Sequence, residues 1–170
     1  AVKQLTALSQ LESTAQAFTQ HVDLYAIAAQ VLDTHDAQIA ARQLQVTMND
    51  RHPHIQGNVD MIRILLDNLI RNAVNHATAC TQVQITFSDN ATAELVIENS
   101  CADISDQEWA LITQRFYRVP GSQGDGSGLG MSIAQRICEL HGAQLKVGKR
   151  TSGDGFCVSV VFIAASDREK

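Results

Sequence analysis

Two stretches of this sequence carry residue types that ordinary packing does not ask for. In the first, Gly124-Asp125-Gly126-Ser127-Gly128-Leu129-Gly130, glycine alternates with other residues and the run leads straight into an apolar-periodic segment, Ile133-Ala134-Gln135-Arg136-Ile137-Cys138-Glu139-Leu140. Glycine has no Cβ and tolerates positive φ, so a chain of bare amides feeding a helix N-terminus suits close approach by a phosphate group. The spacing is neither Gly-x-x-x-x-Gly-Lys-Ser/Thr nor a dinucleotide fingerprint, which needs a strand before its first glycine; Arg115 to Gln123 reads as loop. The second stretch is a long helix predicted from Asn58 or Asp60 to about Ala79. At about 100° per residue, Ile62, Leu66, Leu69, Ile70, Ala73 and Ala77 form one apolar arc, and Asn68, Asn72 and Asn75 fall within roughly 60° of each other opposite it. Asparagine is a poor helix former, so three on one face exceed what a solvent-facing surface calls for. An amide oxygen is a hard ligand for Mg²⁺ and an amide nitrogen can donate to phosphate. Glycine loop and amide face together make a Mg-nucleotide site.

The elements that would position these groups follow from pattern and composition. A chain of 170 residues, 45% apolar, supports one sizeable core and a short extension. Its net charge of -5 and its few aromatics exclude a phosphate-backbone track or a base-stacking platform, so no nucleic-acid partner is expected. No apolar run approaches the roughly 18 residues of a membrane span. No signal peptide is visible and the chain opens mid-helix, which points to a piece of something longer. Cys80, Cys101, Cys138 and Cys157 are widely spaced and read as reduced thiols. His52-Pro53-His54 lacks a third nearby ligand and reads as ordinary loop rather than a metal site.

Val2, Leu5, Leu8, Leu11 and Ala15 mark one stripe of an amphipathic helix over residues 1–16. A short strand over 18–22 follows, then a helix from Leu24 to about Arg42 with Asp23 as its N-cap. Strands are expected at 44–48 and 54–57, and after the long helix a hairpin pairs 83–87 with 94–97. Residues 103–128 are loop-rich, with a helical turn or two around 107–112. A final hairpin joins 144–147 to 156–163. Strands beside helices without strict alternation give an α+β fold, a two-layer sandwich whose mixed sheet is covered on one face by helices.

Asn68-Leu69-Ile70-Arg71-Asn72-Ala73-Val74-Asn75-His76 resembles the N box of sensor histidine kinases, Arg115-Phe116-Tyr117-Arg118 their F box, and Gly126-Ser127-Gly128-Leu129-Gly130-Met131-Ser132-Ile133 their second glycine box. With the helix end Gln135 to Gly142, these blocks stand in the family's order and spacing over about residues 17–163. The resemblance implies a Bergerat-type ATP-binding fold, with 17–166 as the catalytic domain, 1–16 as the end of a dimerisation helix and 167–170 as a tail. It makes ATP and Mg²⁺ the cofactors, Asn72 the Mg²⁺ ligand, Asn68 its phosphate-facing neighbour and His76 the ring bordering the nucleotide. Gly126, Gly128 and Gly130, with Ser127 and Leu129 between them, would supply the phosphate-facing backbone, and 103–125 the lid. Ile104, Phe116, Tyr117 and Arg118 would line the site from that lid.

Two positions depart from the family's pattern. Asn99-Ser100-Cys101-Ala102-Asp103 replaces the usual Asp-x-Gly-x-Gly; the Asn99 Oδ1 can still accept from the adenine amino group. Asn75 stands where Lys or Arg is usual, so that charge falls to Arg115 or Arg118. The implied activity is transfer of the ATP γ-phosphoryl group to a histidine on a dimerisation domain. A chaperone- or mismatch-repair-type ATPase and a non-catalytic nucleotide-binding module are the alternatives. Implied partners are that dimerisation domain and a response regulator, in a homodimeric parent whose catalytic part is cytoplasmic and whose anchor is the inner membrane. None of the six histidines is followed by an acidic residue and, four positions further on, a proline, so this chain is not expected to phosphorylate itself.

Overall fold

Alternating burial and a few well-placed caps account for most of the architecture. The computed structural model describes residues 20–100, 107, 127–150 and 155–162. In chain order these form β1 (Gln20–Asp23), α1 (Leu24–Thr34), α2 (Asp36–Ala41), β2 (Gln45–Met48), β3 (His54–Gly57), α3 (Val59–His76), β4 (Gln82–Ser88), β5 (Ala93–Ser100), α4 (Ser127–Leu140), β6 (Ala143–Lys149) and β7 (Gly155–Phe162). Five strands make one sheet in the order β2-β4-β5-β7-β6, and β1 pairs with β3 in a separate two-stranded ribbon. Only the β2–β4 contact is parallel within the large sheet. The sheet is therefore mixed, as the pattern predicts.

On β4, Val83, Ile85 and Phe87 are buried while Gln82, Gln84 and Thr86 face out; on β5 the inward positions are Leu95, Ile97 and Asn99. A side-chain period of two puts Asn99 on the core face with its apolar neighbours. It is 3% exposed, as deeply placed as they are.

One helix was expected over 24–42, and the structure has two. Thr34 Oγ1 donates back to the Val31 carbonyl at 2.6 Å, the His35 N–H donates to Leu32 O at 3.0 Å, and the His35 ring is drawn to Asp67 on α3. Side-chain back-bonding and a tightened last turn end α1 there, and α2 restarts at Asp36.

Helix α3 begins as predicted, with the Asn58 Oδ1 accepting from the Met61 N–H at 3.0 Å. It stops at His76, short of Ala79, because Ala77 is extended at φ -63, ψ 140. The guanidinium of Arg42 covers the carbonyls so released, donating to Val74 O, to Asn75 O at 2.8 Å and to Ala77 O at 2.5 Å. Flanked by α1 and α4, α3 buries Met61, Leu65 and Val74 in addition to the predicted arc. Helix α4 starts at Ser127, so Gly128 and Gly130 stand in its first turn rather than in a loop ahead of it. The helix penalty of glycine, about 1 kcal/mol each, is outweighed by docking of the turns that follow through Ile133, Ala134, Ile137 and Cys138, all buried.

Candidate functional site

One end of the two-layer stack gathers the groups that the sequence singles out. Val83, Asn99, Phe156 and Lys149 lie in one register row across β4, β5, β7 and β6. The ring of His76, in the last turn of α3, sits 6.0 Å from that of Phe156 at a tilt of 53°. The Thr78 N–H, just past α3, donates to Ser100 O at the end of β5 at 3.0 Å. At the opposite end α4 finishes against the start of α3, where the buried His141 ring takes the Asn58 N–H at 3.1 Å. The N-terminal turn of α4 therefore points toward the same end as the amide-bearing half of α3.

The three asparagines form a gradient rather than one uniform face. Asn68 is buried, Asn72 is half-buried, and Asn75 and His76 are exposed. The Asn68 Nδ2 donates to the Ile64 carbonyl at 3.0 Å, and the Asn99 Nδ2 donates to Ser100 O at 3.3 Å. A carbonyl can only accept, so each amide must turn its nitrogen inward and present its oxygen. Asn75 is engaged elsewhere: its Oδ1 accepts from Gln38 on α2 at 2.5 Å. Asn68 and Asn72 remain as the candidate amides on the helix, and Asn99 as the one on the sheet.

Charge is absorbed around these amides instead of being left on them. Asp67 lies between His35, whose Nε2 is 2.8 Å from its Oδ1, and Arg71, which pairs with its other oxygen. Among the described residues two buried side-chain atoms lack a hydrogen-bond partner, Ser100 Oγ and Arg150 Nε. Both residues flank Gly155 at this end: Ser100 pairs with it in register, and the Arg150 N–H donates to its carbonyl at 2.9 Å.

No group of three or more His, Cys, Asp or Glu able to hold a metal occurs among the described residues. Hard amide oxygens remain as the donor set, and that chemistry fits Mg²⁺ accompanied by phosphate oxygens and water better than a transition metal. The His52 ring is instead held between Asp23 (3.1 Å) and Asp50 (3.3 Å) and packs against the Tyr25 ring at 4.2 Å, tilted by 39°. The described cysteines, Cys80, Cys138 and Cys157, are all free thiols; burial, with Glu139 adding to it, pushes the Cys138 thiol up to about 12, which leaves it inert.

Asn68, Asn72 and His76 stand in the second half of α3 and Asn99 next to the end of β5, while the N-terminal turn of α4 includes the backbone of Ser127, Gly128, Leu129 and Gly130. Ile104, Arg115, Phe116, Tyr117, Arg118, Gly126 and, apart from residue 107, the expected lid over 103–125 lie outside the described residues, as do 1–19, 101–102, 151–154 and 163–170. Four contributors carry no signal of this role along the sequence: Arg42 and Gln38, which hold the last turn of α3, and Thr78 and Gly155, which meet the end of β5. Each acts across a long stretch of chain. Only Gly155 stood in a recognisable pattern, and that pattern reads as a turn.

Residues 57–166 match the family described as histidine kinase-, DNA gyrase B- and HSP90-like ATPase. The chain is 30% identical over 162 residues to the sensor protein kinase PmrB of Pseudomonas aeruginosa, covering 94% of this chain and 34% of that protein. It is 33% identical over 120 residues to the sensor protein QseC of Escherichia coli, covering 70% of this chain and 26% of that one. The chain thus spans about a third or less of the length of these two relatives. In fold it is similar to the catalytic domain of the histidine kinase ThkA (TM-score 0.71, 18% identity, 85% of this chain and 94% of that one). It is also similar to the cytoplasmic segment of the histidine kinase QseC (TM-score 0.67, 22% identity, 96% and 90%).

Proposed function

The chain belongs to the histidine kinase-, DNA gyrase B- and HSP90-like ATPase family, as such a domain of a sensor histidine kinase, and on that premise we propose that it binds Mg-ATP and presents the γ-phosphoryl group to a histidine on a dimerisation domain. What supports this reading is the pair of buried amides, Asn68 and Asn99, each bonded to a backbone carbonyl through its nitrogen, so that its oxygen is left as an acceptor. Asn99 would accept from the adenine amino group, with the rings of Phe156 and His76 bordering the base. Asn72, assisted by Asn68, would hold Mg²⁺, and the backbone of Gly128 and Gly130 would take the phosphates.

Bound Mg²⁺ supplies neutralisation of phosphate charge. The chain's own part is to orient the triphosphate and exclude water, so that the ring nitrogen of the acceptor histidine attacks the γ-phosphorus while the bond to ADP breaks. Hydrolysis for conformational work fits less well. A water nucleophile calls for a base; Asn68, Asn72 and Asn99 cannot take a proton, and His76 stands in this reading beside the adenine base rather than the phosphates. Asp67, the carboxylate next to Asn68 in sequence, is held by His35 and Arg71.

The acceptor lies on another segment in this reading. His35 is paired with Asp67 and His141 is fully buried, and His21, His52, His54 and His76 lack an acidic residue after them. Residues 1–16 would continue the dimerisation helix that carries the acceptor, 17–166 would be the catalytic domain and 167–170 a tail. A response regulator would receive the phosphoryl group from a homodimeric, membrane-anchored parent. Among the described residues no helix is long and apolar enough to cross a membrane, so an anchor would belong to other parts of that parent.

Incubation with γ-labelled ATP tests the assignment. The chain alone is expected to stay unlabelled, and a dimerisation segment from a related kinase added in trans is expected to gain an acid-labile phosphate. Stable label on this chain alone contradicts it.

A further inference from the structure

Three strand ends meet at Gly155. In register it faces Ser100 on β5, and its carbonyl takes the Arg150 N–H at 2.9 Å, just beyond β6. Its φ is +156, and a Cβ placed there would lie 2.1 Å from the Asn99 carbonyl oxygen, 3.1 Å from the Asn99 carbonyl carbon and 3.0 Å from the Ser100 Cα. The first of these is far inside any real contact, and the atoms involved are backbone, which cannot swing aside as the end of a side chain would. β7 can close on the Asn99–Ser100 peptide only because residue 155 has no side chain.

That closure bears on how Asn99 points. An asparagine can reverse its amide, exchanging an acceptor for a donor at almost no cost when nothing holds it. Here the Ser100 carbonyl accepts from the Asn99 Nδ2 at 3.3 Å and is itself held by the Thr78 N–H at 3.0 Å. Reversal would set the Asn99 oxygen against the Ser100 oxygen. Asn99 is 3% exposed, so little water reaches the contact between the two oxygens to relieve that repulsion. The arrangement depends on where the Ser100 peptide sits, and Gly155 decides that.

We propose that Gly155 is a positioning residue for base specificity: its missing side chain lets β7 set the Asn99–Ser100 backbone so that the Ser100 carbonyl locks Asn99 as an acceptor, favouring purines with an exocyclic amino group at position 6 and disfavouring those with an oxo group there. This rests on the reading that Asn99 meets the base. It adds that the selectivity is held by a strand contact and not by Asn99 alone.

The test compares ATP with inosine triphosphate, which differs only by an oxo group and a ring N–H where adenine has the amino group and an acceptor. Affinities are measured by calorimetry with Mg²⁺ present, and folding is checked by thermal melting. The parent chain should prefer ATP by about tenfold or more, as expected for one mismatched buried hydrogen bond. In Gly155→Ala that ratio should fall below about threefold, and in an Asn99→Ala background Gly155→Ala should cost no further ATP affinity. Gly148→Ala, where a Cβ would meet nothing within 4 Å, should keep the parent ratio.

Should Gly155→Ala not fold, Thr78→Pro carries the test. It removes the N–H that holds Ser100 O at an exposed position preceded by an extended residue, which suits proline, and it should lower the ratio in the same direction. A parent ratio near one removes the underlying reading of Asn99. A parent preference that survives in every folded variant of Gly155 and Thr78 overturns the role given to Gly155 while leaving Asn99 in place.

Discussion

The N-cap and the middle of α3 both bury an asparagine, and they use it in opposite ways. At the start of the helix Asn58 is 5% exposed, its Oδ1 takes the Met61 N–H, and its own N–H goes to the Nε2 of His141. The His141 Nδ1 in turn lies 2.8 Å from the Ile137 carbonyl, so Nδ1 carries the proton, Nε2 accepts, and the neutral ring is specified. Gly57 leaves room for that ring, since a Cβ there would stand 2.6 Å from its Cδ2. The next donor, the Val59 N–H, reaches the Gln20 Oε1 at 3.0 Å. Each of these bonds stays within the protein. Toward the other end Asn68 and Asn99 spend only their nitrogens on the backbone, and their oxygens remain on offer. Burial of a polar group is therefore a poor guide to function by itself; what distinguishes the site is acceptor capacity left over after the fold has been satisfied.

If the closed end is purely structural, breaking it should cost stability and spare binding. His141→Ala removes a fully buried ring and strands the Asn58 N–H, for an expected loss of about 3 kcal/mol in denaturant unfolding. The molecules that remain folded should bind ATP as the parent does. A variant of parental stability with lost affinity would erase the distinction between the two ends.

A smaller effect belongs to the His52–Asp23 pair, outside both regions. The Asp23 hydrogen bond outweighs desolvation and raises His52, while Asp23 is lowered because contacts with His52, the Ala26 N–H and His54 together overcome the opposing effect of burial. His52 contributes fully below its unfolded value of 6.5 and loses that contribution as pH rises through its raised folded value; Asp23 contributes above 3.8 and loses it as pH falls through its lowered one. Stabilisation by the pair is therefore greatest between these limits. His52→Ala should flatten the decline in melting temperature on the alkaline side of that window, with ATP affinity unchanged at every pH. A shift in affinity would tie this surface pair to the site.

The sequence makes the sheet legible because alternation is local: Val83, Ile85 and Phe87 declare their face without reference to any partner. The candidate site is legible where it repeats along one helix, as Asn68 and Asn72 do. Sequence reasoning misses what tertiary contact decides. Asp67 pulls the His35 ring and splits a helix that periodicity reads as continuous, and docking of α4 carries two glycines into a helical turn. Arg42 caps a helix more than thirty residues away. The neighbour of Gly155 is visible only once β7 is laid against β5 in register.

Binding of Mg-ATP by the unspent amides is read by calorimetric titration of the chain and of Asn72→Ala with ATP, with and without Mg²⁺. Asn72 is half-buried, and no hydrogen bond ties its amide to another described residue, so the variant should melt with the parent. The parent should gain affinity on addition of Mg²⁺, and Asn72→Ala should show no such gain. Equal Mg-dependent affinity in the two chains would contradict the account.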